Sequence, residues 1–315
     1  MQWHERIGRR LKLRDLNILL SVVKHGTMAK AAADLAMSQP AVSKAISDLE
    51  HVLGMRLLDR GARGVEATSY GRALVKRSLV IFDELKQGVR ELEGLADPTS
   101  GEIRIGSSEA MTAGLLPVVI EHMSRSYPGV VFNISQALFA SAHYRELRDR
   151  SIDLLLGRVF TPLDEDDLNV APLFDDEMVV VTAKRSTLYK KRRLALADLA
   201  EQRWILPPAD TPAAPLAAEI FRAHGLEQPR APVTTLSIHV ALKLVASDRF
   251  VALIPSSVMR FNPGASIGVL PIKLPTQRRT VGIITLKNRL LSPIAGAFLA
   301  CTHEVLSRSR LRPAA

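Results

Sequence analysis

The side chains best suited to chemistry in this chain lie at the start of one predicted helix. Ser38 is a good N-cap, and Pro40 is tolerated in the first turn because its missing N–H would have no intrahelical partner there. Gln39, Ser43 and Lys44 follow on the outer face of the same helix. Small polar and basic side chains of this kind hydrogen-bond to base edges and phosphates. The segment therefore predicts contact with DNA.

Two amphipathic helices joined by a short turn position these side chains. Thr27 is the N-cap of the first helix, whose apolar residues from Met28 onward recur at i, i+3, i+4 and i+7. The second helix has a buried stripe that begins at Val42 and continues to Leu53. Such a pair places its second helix in the major groove of DNA, and we count Thr27 among the DNA-facing residues. On periodicity alone, an ordinary helical hairpin in a core is the alternative.

The segment after the two helices favours DNA binding. Two short extended pieces surround a turn between Gly61 and Gly64, as in a β-hairpin wing. Arg60 and Arg63 lie near its tip. Alone, such a turn would be a solvated surface turn, but directly after a helix-turn-helix these arginines are expected to contact phosphate or the minor groove.

These motifs resemble the winged helix-turn-helix of LysR-type transcriptional regulators, densely over about the first 70 residues. The matching residues are Ala31-Ala32-Ala33-Asp34-Leu35, Ser38-Gln39-Pro40-Ala41-Val42-Ser43, Leu49-Glu50, Leu53-Gly54, Leu57, Arg60 and Thr68. The chain departs from the family at Leu58, where an aromatic residue is usual, and at Ala67, where Leu is usual. Both changes are expected to loosen the packing of the wing without changing the fold.

The charge distribution agrees with a nucleic-acid module at the N-terminus. The formal net charge is +10, and residues 1–90 hold 16 Lys and Arg against 9 Asp and Glu, which is +7. A membrane surface is the rival partner for basic charge. However, the basic residues between Arg6 and Arg14 flank no strongly hydrophobic amphipathic face.

Several other classes of protein are disfavoured. A single cysteine, Cys301, excludes an intrachain disulfide framework and fits a reducing cytosol. Residues 1–6 contain no apolar region typical of a signal peptide, and no apolar run approaches the ~18 residues of a membrane span. We therefore expect a cytoplasmic protein without a membrane partner.

Enzymatic alternatives lack a motif. The sequence has no Gly-x-Ser-x-Gly elbow, no P-loop and no Gly-x-Gly-x-x-Gly after a strand. Its 8 histidines never fall in His-x-x-x-His spacing, and the acidic run at residues 164–167 has the composition of a solvated loop. We expect no catalytic residue, no metal and no cofactor.

A long helix is predicted over residues 70–96, with apolar positions spaced alternately four and three apart. A helix of this length spans ~40 Å, too long for the small domain beside it to cover, so self-association is the natural way to bury its apolar face. Packing against its own chain is the alternative. The predicted domains are a winged helix-turn-helix at 1–69, a linker and dimerisation helix with a hinge at 70–100, and an effector-binding domain at 101–315.

Strand-like and helix-like segments alternate after residue 100, which predicts an α/β domain with mostly parallel sheets, arranged as two lobes around a crevice. The resemblance implies a domain similar to periplasmic binding proteins, with crossover strands near residues 177–182 and 280–286. At the turn 247–249, Ser247 and Arg249 replace the glycines that the family often has. This turn must avoid a positive φ or accept strain.

Candidate effector-binding residues lie mainly where helices start after predicted strands, because ligands of α/β sheets bind at such positions. They are Ser107, Ser108, Arg158, Thr211, Ser237 and His239. Each helix start, taken alone, is better explained as an ordinary cap, and Arg158 as a surface arginine. Three such starts in a two-lobed domain favour a shared cleft.

Together the residues and the resemblance predict a sequence-specific transcriptional regulator. It would bind promoter DNA as a homodimer or homotetramer and respond to a small-molecule effector held between two lobes. The alternative is a sequence-indifferent architectural DNA-binding protein.

Overall fold

The computed structural model describes residues 10–61, 64–136, 144–159, 165–262, 266–274 and 279–309. The chain forms two compact units, one ending at Val89 and one beginning at Arg90.

The first unit contains three short helices, a two-stranded hairpin and most of one long helix. In chain order these are α1 (Leu13–His25), α2 (Met28–Asp34), α3 (Gln39–Leu53), β1 (Leu58–Gly61), β2 (Gly64–Ala67) and α4 (Ser69–Ala96). Helices α1 to α3 share one apolar core, in which Leu19, Val22, Val42 and Ile46 are fully buried. The predicted helix-turn-helix is therefore α2 and α3, with α1 packed against both.

The turn between α2 and α3 is tight and carries strain. Ala36 has a φ of 50°, in the left-handed region that disfavours a side chain with Cβ. The adjacent turn between α1 and α2 uses Gly26 at φ 69°, where glycine has no such cost.

The hairpin is the predicted wing, and it packs on the turn between α1 and α2. The Val65 N–H donates to the Gly26 carbonyl at 2.8 Å, and a Cβ on Gly64 would lie 2.6 Å from the same oxygen. Leu58 and Ala67, the two positions that depart from the family pattern, are cross-strand partners. Leu58 is buried, and the small Ala67 lies opposite it in the hairpin.

The second unit comprises two α/β lobes. Its elements in chain order are β3 (Ser100–Ser107), α5 (Glu109–Ala113), α6 (Leu115–Ser124), β4 (Gly129–Gln136), α7 (Tyr144–Arg148), β5 (Leu154–Arg158), β6 (Leu168–Asp176), β7 (Met178–Ala183), a 3-10 helix (Leu196–Leu199), β8 (Trp204–Leu206), α8 (Ala214–Ala223), β9 (Val233–Thr234), α9 (Ile238–Val245), β10 (Val251–Pro255), α10 (Ser256–Phe261), β11 (Ile267–Val269), β12 (Arg279–Leu286) and α11 (Pro293–Arg308).

Each lobe is built on a five-stranded sheet. The first-lobe sheet has the order β4-β3-β5-β12-β6, and the second-lobe sheet has the order β11-β7-β10-β8-β9. The chain passes from the first sheet to the second at Glu177, between β6 and β7, and returns between β11 and β12. Both crossovers fall where the sequence predicted them.

The expectation of mostly parallel sheets was wrong. Strand β3 runs parallel to β4 and β5, and β8 runs parallel to β9 and β10. The other four pairs, β12 with β5 and β6 and β7 with β10 and β11, are antiparallel. The physical reason is that the strands next to the crossovers enter each sheet from the other lobe, against the direction set by its β-α-β units.

Each lobe has its own core. In the first lobe, α6 and α11 pack on the sheet around Ile103, Leu116 and Phe298. In the second lobe, Trp204 and Phe221 meet edge to face at 5.1 Å between ring centroids. Within the described ranges, every helix is too short or too polar to span a bilayer.

The turn that lacks the family's glycines accepts a positive φ at its central residue. Asp248 has a φ of 67°, and its carboxylate lies 3.9 Å from Arg185. Aspartate tolerates the left-handed region better than most residues with a Cβ. The strain is thus placed on the residue of this turn best able to adopt that conformation.

Candidate DNA interface and ligand cavity

The first turn of α3 presents an exposed polar surface. Ser38, Gln39, Pro40 and Lys44 are exposed, and Ser43 is half-buried. The Ser38 hydroxyl accepts from the Ala41 N–H at 3.4 Å, as a cap should. Side chains on this turn are therefore free to face a groove while the opposite side of the helix is held in the core.

The wing extends this surface. Arg60 on β1 is exposed, and its Nη1 donates to the Ser43 hydroxyl at 3.3 Å. Arg63 lies outside the described residues. Thr27 stands at the start of α2, where its hydroxyl accepts from the Lys30 N–H at 3.2 Å. The structure thus joins Arg60 to the polar face of α3, and Thr27 serves as a helix cap.

Glu50 fixes the start of the wing, a role that sequence reasoning missed. Its Oε1 accepts from the Leu57 N–H at 2.7 Å and from the Leu58 N–H at 3.1 Å. Because Glu50 belongs to α3, these bonds tie the wing to the same helix that carries the polar surface. The sequence signal that could have indicated this role was the presence of Glu50 among the residues that match the family.

One face of α4 remains apolar and exposed. Its exposed apolar residues are Tyr70, Ile81, Leu85, Val89, Leu92 and Leu95, the last of them 76% exposed. Four of these, Ile81, Leu85, Leu92 and Leu95, belong to the predicted line of positions spaced four and three apart. Exposed apolar side chains at this spacing are typical of a helix that pairs with a second helix.

A cavity in the second unit lies beside the carboxyl ends of β3, β5 and β8. Its volume is about 180 Å³, and it opens to solvent. Its wall is largely apolar and includes Ile205, Leu206, Leu216 and Leu253 from the second lobe.

Four of the six predicted effector residues line this cavity. Ser108, Arg158, Thr211 and Ser237 are in the wall. Ser107 is fully buried, with its hydroxyl bonded to the Ser108 carbonyl at 3.3 Å. His239 points away from the cavity wall and is exposed on α9. The difference arises because strand and helix periodicity turn Ser107 and His239 away from the faces that carry Ser108 and Ser237.

Glu109 and Gln136 also line the cavity, and sequence reasoning missed both. Glu109 Oε1 accepts from the Ile238 N–H at 3.0 Å, and its Oε2 accepts from Gln136 Nε2 at 3.1 Å. Glu109 therefore connects α5 in the first lobe to the start of α9 in the second. Its only sequence signal was its place directly after the capping Ser108.

Arg158 ends β5 and is mostly buried. Its Nη2 lies 3.6 Å from Asp176 Oδ2 and 3.3 Å from the Met178 sulfur, whereas its Nε is buried without a partner. Burial lowers the pKa of this guanidinium, and the charge of Arg279 lowers it further, whereas the nearby Asp176 charge opposes both effects.

Asp176 is itself fully engaged at the crossover. Its carboxylate accepts from the Ser256 hydroxyl at 2.9 Å, the Ser257 N–H at 3.0 Å and the Ser257 hydroxyl at 2.7 Å. Because Asp176 ends β6 and the serines begin α10, this carboxylate links the two lobes next to the cavity. No group of three His, Cys, Asp or Glu side chains in the described part of the chain is placed to hold a metal ion.

Comparisons with known proteins match both units. The family model described as "Bacterial regulatory helix-turn-helix protein, lysR family" matches residues 13–72, and the model "LysR substrate binding domain" matches residues 96–307. The HTH-type transcriptional regulator GbpR of Azospirillum brasilense is 32% identical over 308 residues, which is 97% of this chain and 89% of that protein.

A second relative and a solved structure are also similar to this chain over most of its length. The SDS degradation transcriptional activation protein of a Pseudomonas species is 32% identical over 296 residues, covering 90% of this chain and 93% of that protein. A full-length OxyR variant from Pseudomonas aeruginosa has a similar fold, with a TM-score of 0.63 at 19% identity over 96% of this chain and 97% of that one.

Proposed function

This chain belongs to the LysR family of bacterial transcriptional regulators, and we propose that it binds promoter DNA sequence-specifically under the control of a small-molecule effector. The observation that carries the proposal is the hydrogen bond from Arg60 to Ser43, which joins the wing to the polar face of α3. This surface combines a phosphate-binding cation with groups that reach base edges.

We assign the contacts by chemistry. Gln39, Ser43 and Lys44 lie in the major groove near the bases, with Pro40 against them, and Ser38 and Thr27 approach the backbone from helix starts. Arg60 and Arg63 contact phosphate or the minor groove. The protein acts by binding rather than by catalysis, in the cytoplasm, where the chromosome of a bacterium lies.

The exposed apolar face of α4 is the proposed oligomer interface. Residues 1–69 then form the DNA-binding domain, 70–100 the linker and dimerisation helix, and 101–315 the effector-binding domain. A homodimer carries two copies of α3 related by a two-fold axis, and a two-fold operator presents two matching half-sites. A homotetramer would carry a second pair of α3 helices.

The cavity beside Arg158 is the proposed effector site. A ligand there contacts both lobes, so it changes their relative positions only if it binds one arrangement more tightly than the other. That change would re-space the DNA-binding domains and alter the bend of the bound DNA. Footprints that are identical with and without a confirmed effector would contradict this mechanism.

Selection of genomic fragments by the purified protein at physiological salt, followed by footprinting of the best binder, tests the function. We expect one two-fold symmetric site upstream of an operon. Enrichment of no sequence over another would leave the architectural DNA-binding protein as the function, because such binding comes almost wholly from phosphate contacts.

A further inference from the structure

We infer that the effector is a compact monoanion with an apolar body, whose acidic group binds Arg158 while the body lies against the second-lobe wall. This inference rests on the proposed function only in taking the cavity as the effector site. Two observations support it: the second-lobe wall of the cavity is apolar, and the guanidinium of Arg158 beside it is incompletely paired.

The wall determines the body of the ligand. Ile205, Leu206, Leu216, Leu253 and Ile254 contribute apolar surface, and the adjoining segment adds Pro207 and Pro212 beside Thr211. Against these apolar side chains, a polyhydroxylated ligand would lose hydrogen bonds to water without regaining them, which is costly. An aliphatic or aromatic body gains from the same burial.

Arg158 determines the head group. It is the one cationic residue among the described residues of the wall. A guanidinium has five N–H donors, yet Arg158 has an ion pair at 3.6 Å, a contact with a thioether sulfur and an unpartnered Nε. A ligand carboxylate supplies the charged acceptor that this partly buried group lacks, and hydrogen bonds between ionised partners are the strong ones.

Glu109, the acidic residue among the described residues of the wall, disfavours a second negative charge on the ligand. Both Glu109 oxygens already accept, from Ile238 and Gln136, so Glu109 keeps its place in the wall and its charge repels a second anionic group. Asp176 competes with the ligand for Arg158, but the hydroxyls and N–H of Ser256 and Ser257 satisfy it independently. Arg158 can therefore turn toward a ligand while Asp176 keeps three hydrogen-bond donors.

Titration calorimetry of the full chain tests the inference with matched probes. Hexanoate, cyclohexanecarboxylate and benzoate are the acids, hexan-1-ol, cyclohexylmethanol and benzyl alcohol are the neutral counterparts, and D-glucose is the polyhydroxylated comparison. We expect at least one acid to bind at least tenfold more tightly than its alcohol, and glucose not to bind. Equal binding of acid and alcohol, binding of glucose alone, or binding of no acid overturns the inference.

Two substitutions with opposite expected effects locate the head group. Arg158→Gln should weaken binding of the acid by roughly tenfold to a hundredfold and leave the alcohol unchanged, since a hydrogen bond to a charged group is lost. Asp176→Asn should tighten binding of the acid, because it removes the competing charge beside Arg158. Arg222→Gln, at an exposed arginine on α8, is the matched control. An unchanged acid affinity in Arg158→Gln refutes the assignment.

Thermal denaturation of each ligand-free variant reports whether it folds. If Asp176→Asn does not fold, Arg158→Gln and its control still decide the inference. Selection of genomic DNA, run on the same preparation, separates the two failures: specific DNA binding without acid binding overturns the ligand class alone, whereas loss of sequence preference overturns the proposed function.

Discussion

At the scale of single residues, Gln39 and Arg60 should separate specificity from affinity. Gln39→Ala removes a group that reads base edges, so we expect a loss of about 1–3 kcal/mol on the selected site and little change on scrambled DNA. Arg60→Ala removes a phosphate contact and should weaken both sequences alike, with the log–log salt slope reduced by about 0.9. Fluorescence anisotropy over a salt series measures both, with Arg222→Ala as control. Equal losses on both DNAs for Gln39→Ala would contradict base readout.

A buried ionic network in the first lobe yields a prediction about stability. Asp153 accepts from the Arg104 N–H at 2.9 Å and from Arg104 Nη2 and Arg289 Nη2, each at 2.7 Å, and Arg90 Nη1 lies at 3.4 Å. Asp153→Asn leaves buried arginines without their carboxylate, so we expect a loss of about 3–5 kcal/mol in the free energy of unfolding. Urea denaturation measures it, and Asp210→Asn, at an exposed carboxylate, is the control.

The loss of stability caused by Asp153→Asn should depend on pH. Burial alone would raise the pKa of Asp153, but hydrogen bonds from Arg104 and the charges of Arg104 and Arg289 outweigh it and hold this pKa below its ordinary value. A depressed folded-state pKa contributes stability that is fully present above the unfolded value of about 3.9 and is lost as the pH falls through the folded value. The gap between wild type and Asp153→Asn should therefore narrow only below about pH 4. A gap that is constant down to about pH 2 would show that charge is not its cause.

The distance along the chain decides which residues could be predicted. The caps Thr27 and Ser38 bond to N–H groups three positions away, so the local sequence contains both partners. Asp153 finds its arginines 49 and 136 positions away, and no pattern in the sequence pairs them. Glu109 was missed for the same reason, because its partner Ile238 lies 129 positions away.

At the scale of elements, two glycines of α4 should respond to alanine in opposite ways. A Cβ on Gly71 would lie 2.0 Å from the Leu57 carbonyl oxygen, where α4 begins against the base of the wing. Gly71→Ala should therefore cost at least about 1–3 kcal/mol through overpacking. At Gly94 nothing lies within 4 Å of the added Cβ, so Gly94→Ala should stabilise the helix by up to about 1 kcal/mol. Chemical denaturation of the two variants gives both signs, and a stabilising Gly71→Ala would contradict this packing.

Elements were predicted where one periodicity applies throughout and missed where the chain interrupts it. Strand β6 was not predicted, since Pro172 lowers the strand signal of its segment. The structure places β6 at a sheet edge, with a bulge where the pairing moves from Phe174 to Pro172 against β12, and prolines are tolerated there. Residues 113–124 have the amphipathic pattern of a helix, which is α6, and Gly114 separates it from α5.

At the scale of the whole molecule, the sequence located the ligand cavity better than it described its chemistry. The ends of strands and starts of helices indicated the correct region, because sheet topology gathers them at one edge. The charge balance of the cavity depends on how Arg158, Asp176 and Glu109 pair, which requires both lobes to be in place.

The spacing of half-sites tests the molecule as an assembly. If α4 joins two chains, their recognition helices have a fixed separation, and each must face the same side of the DNA. Inserting about 5 base pairs between the half-sites turns one half-site to the far side and should reduce affinity to that for a single half-site, whereas about 10 base pairs should restore part of it. Gel-shift titrations measure the affinity for the footprinted operator with its original spacing and with each of the two insertions.

The double variant Leu85→Glu and Leu92→Glu tests whether α4 causes this sensitivity to half-site spacing. These side chains are 48% and 68% exposed in the single chain, so glutamate there should leave the fold intact while placing like charges in a paired helix. We expect a smaller species in analytical ultracentrifugation, together with equal affinity for all three spacings, because one chain then reads one half-site. If the variant keeps both its mass and its sensitivity to spacing, another surface joins the chains, and the apolar face of α4 has some other role.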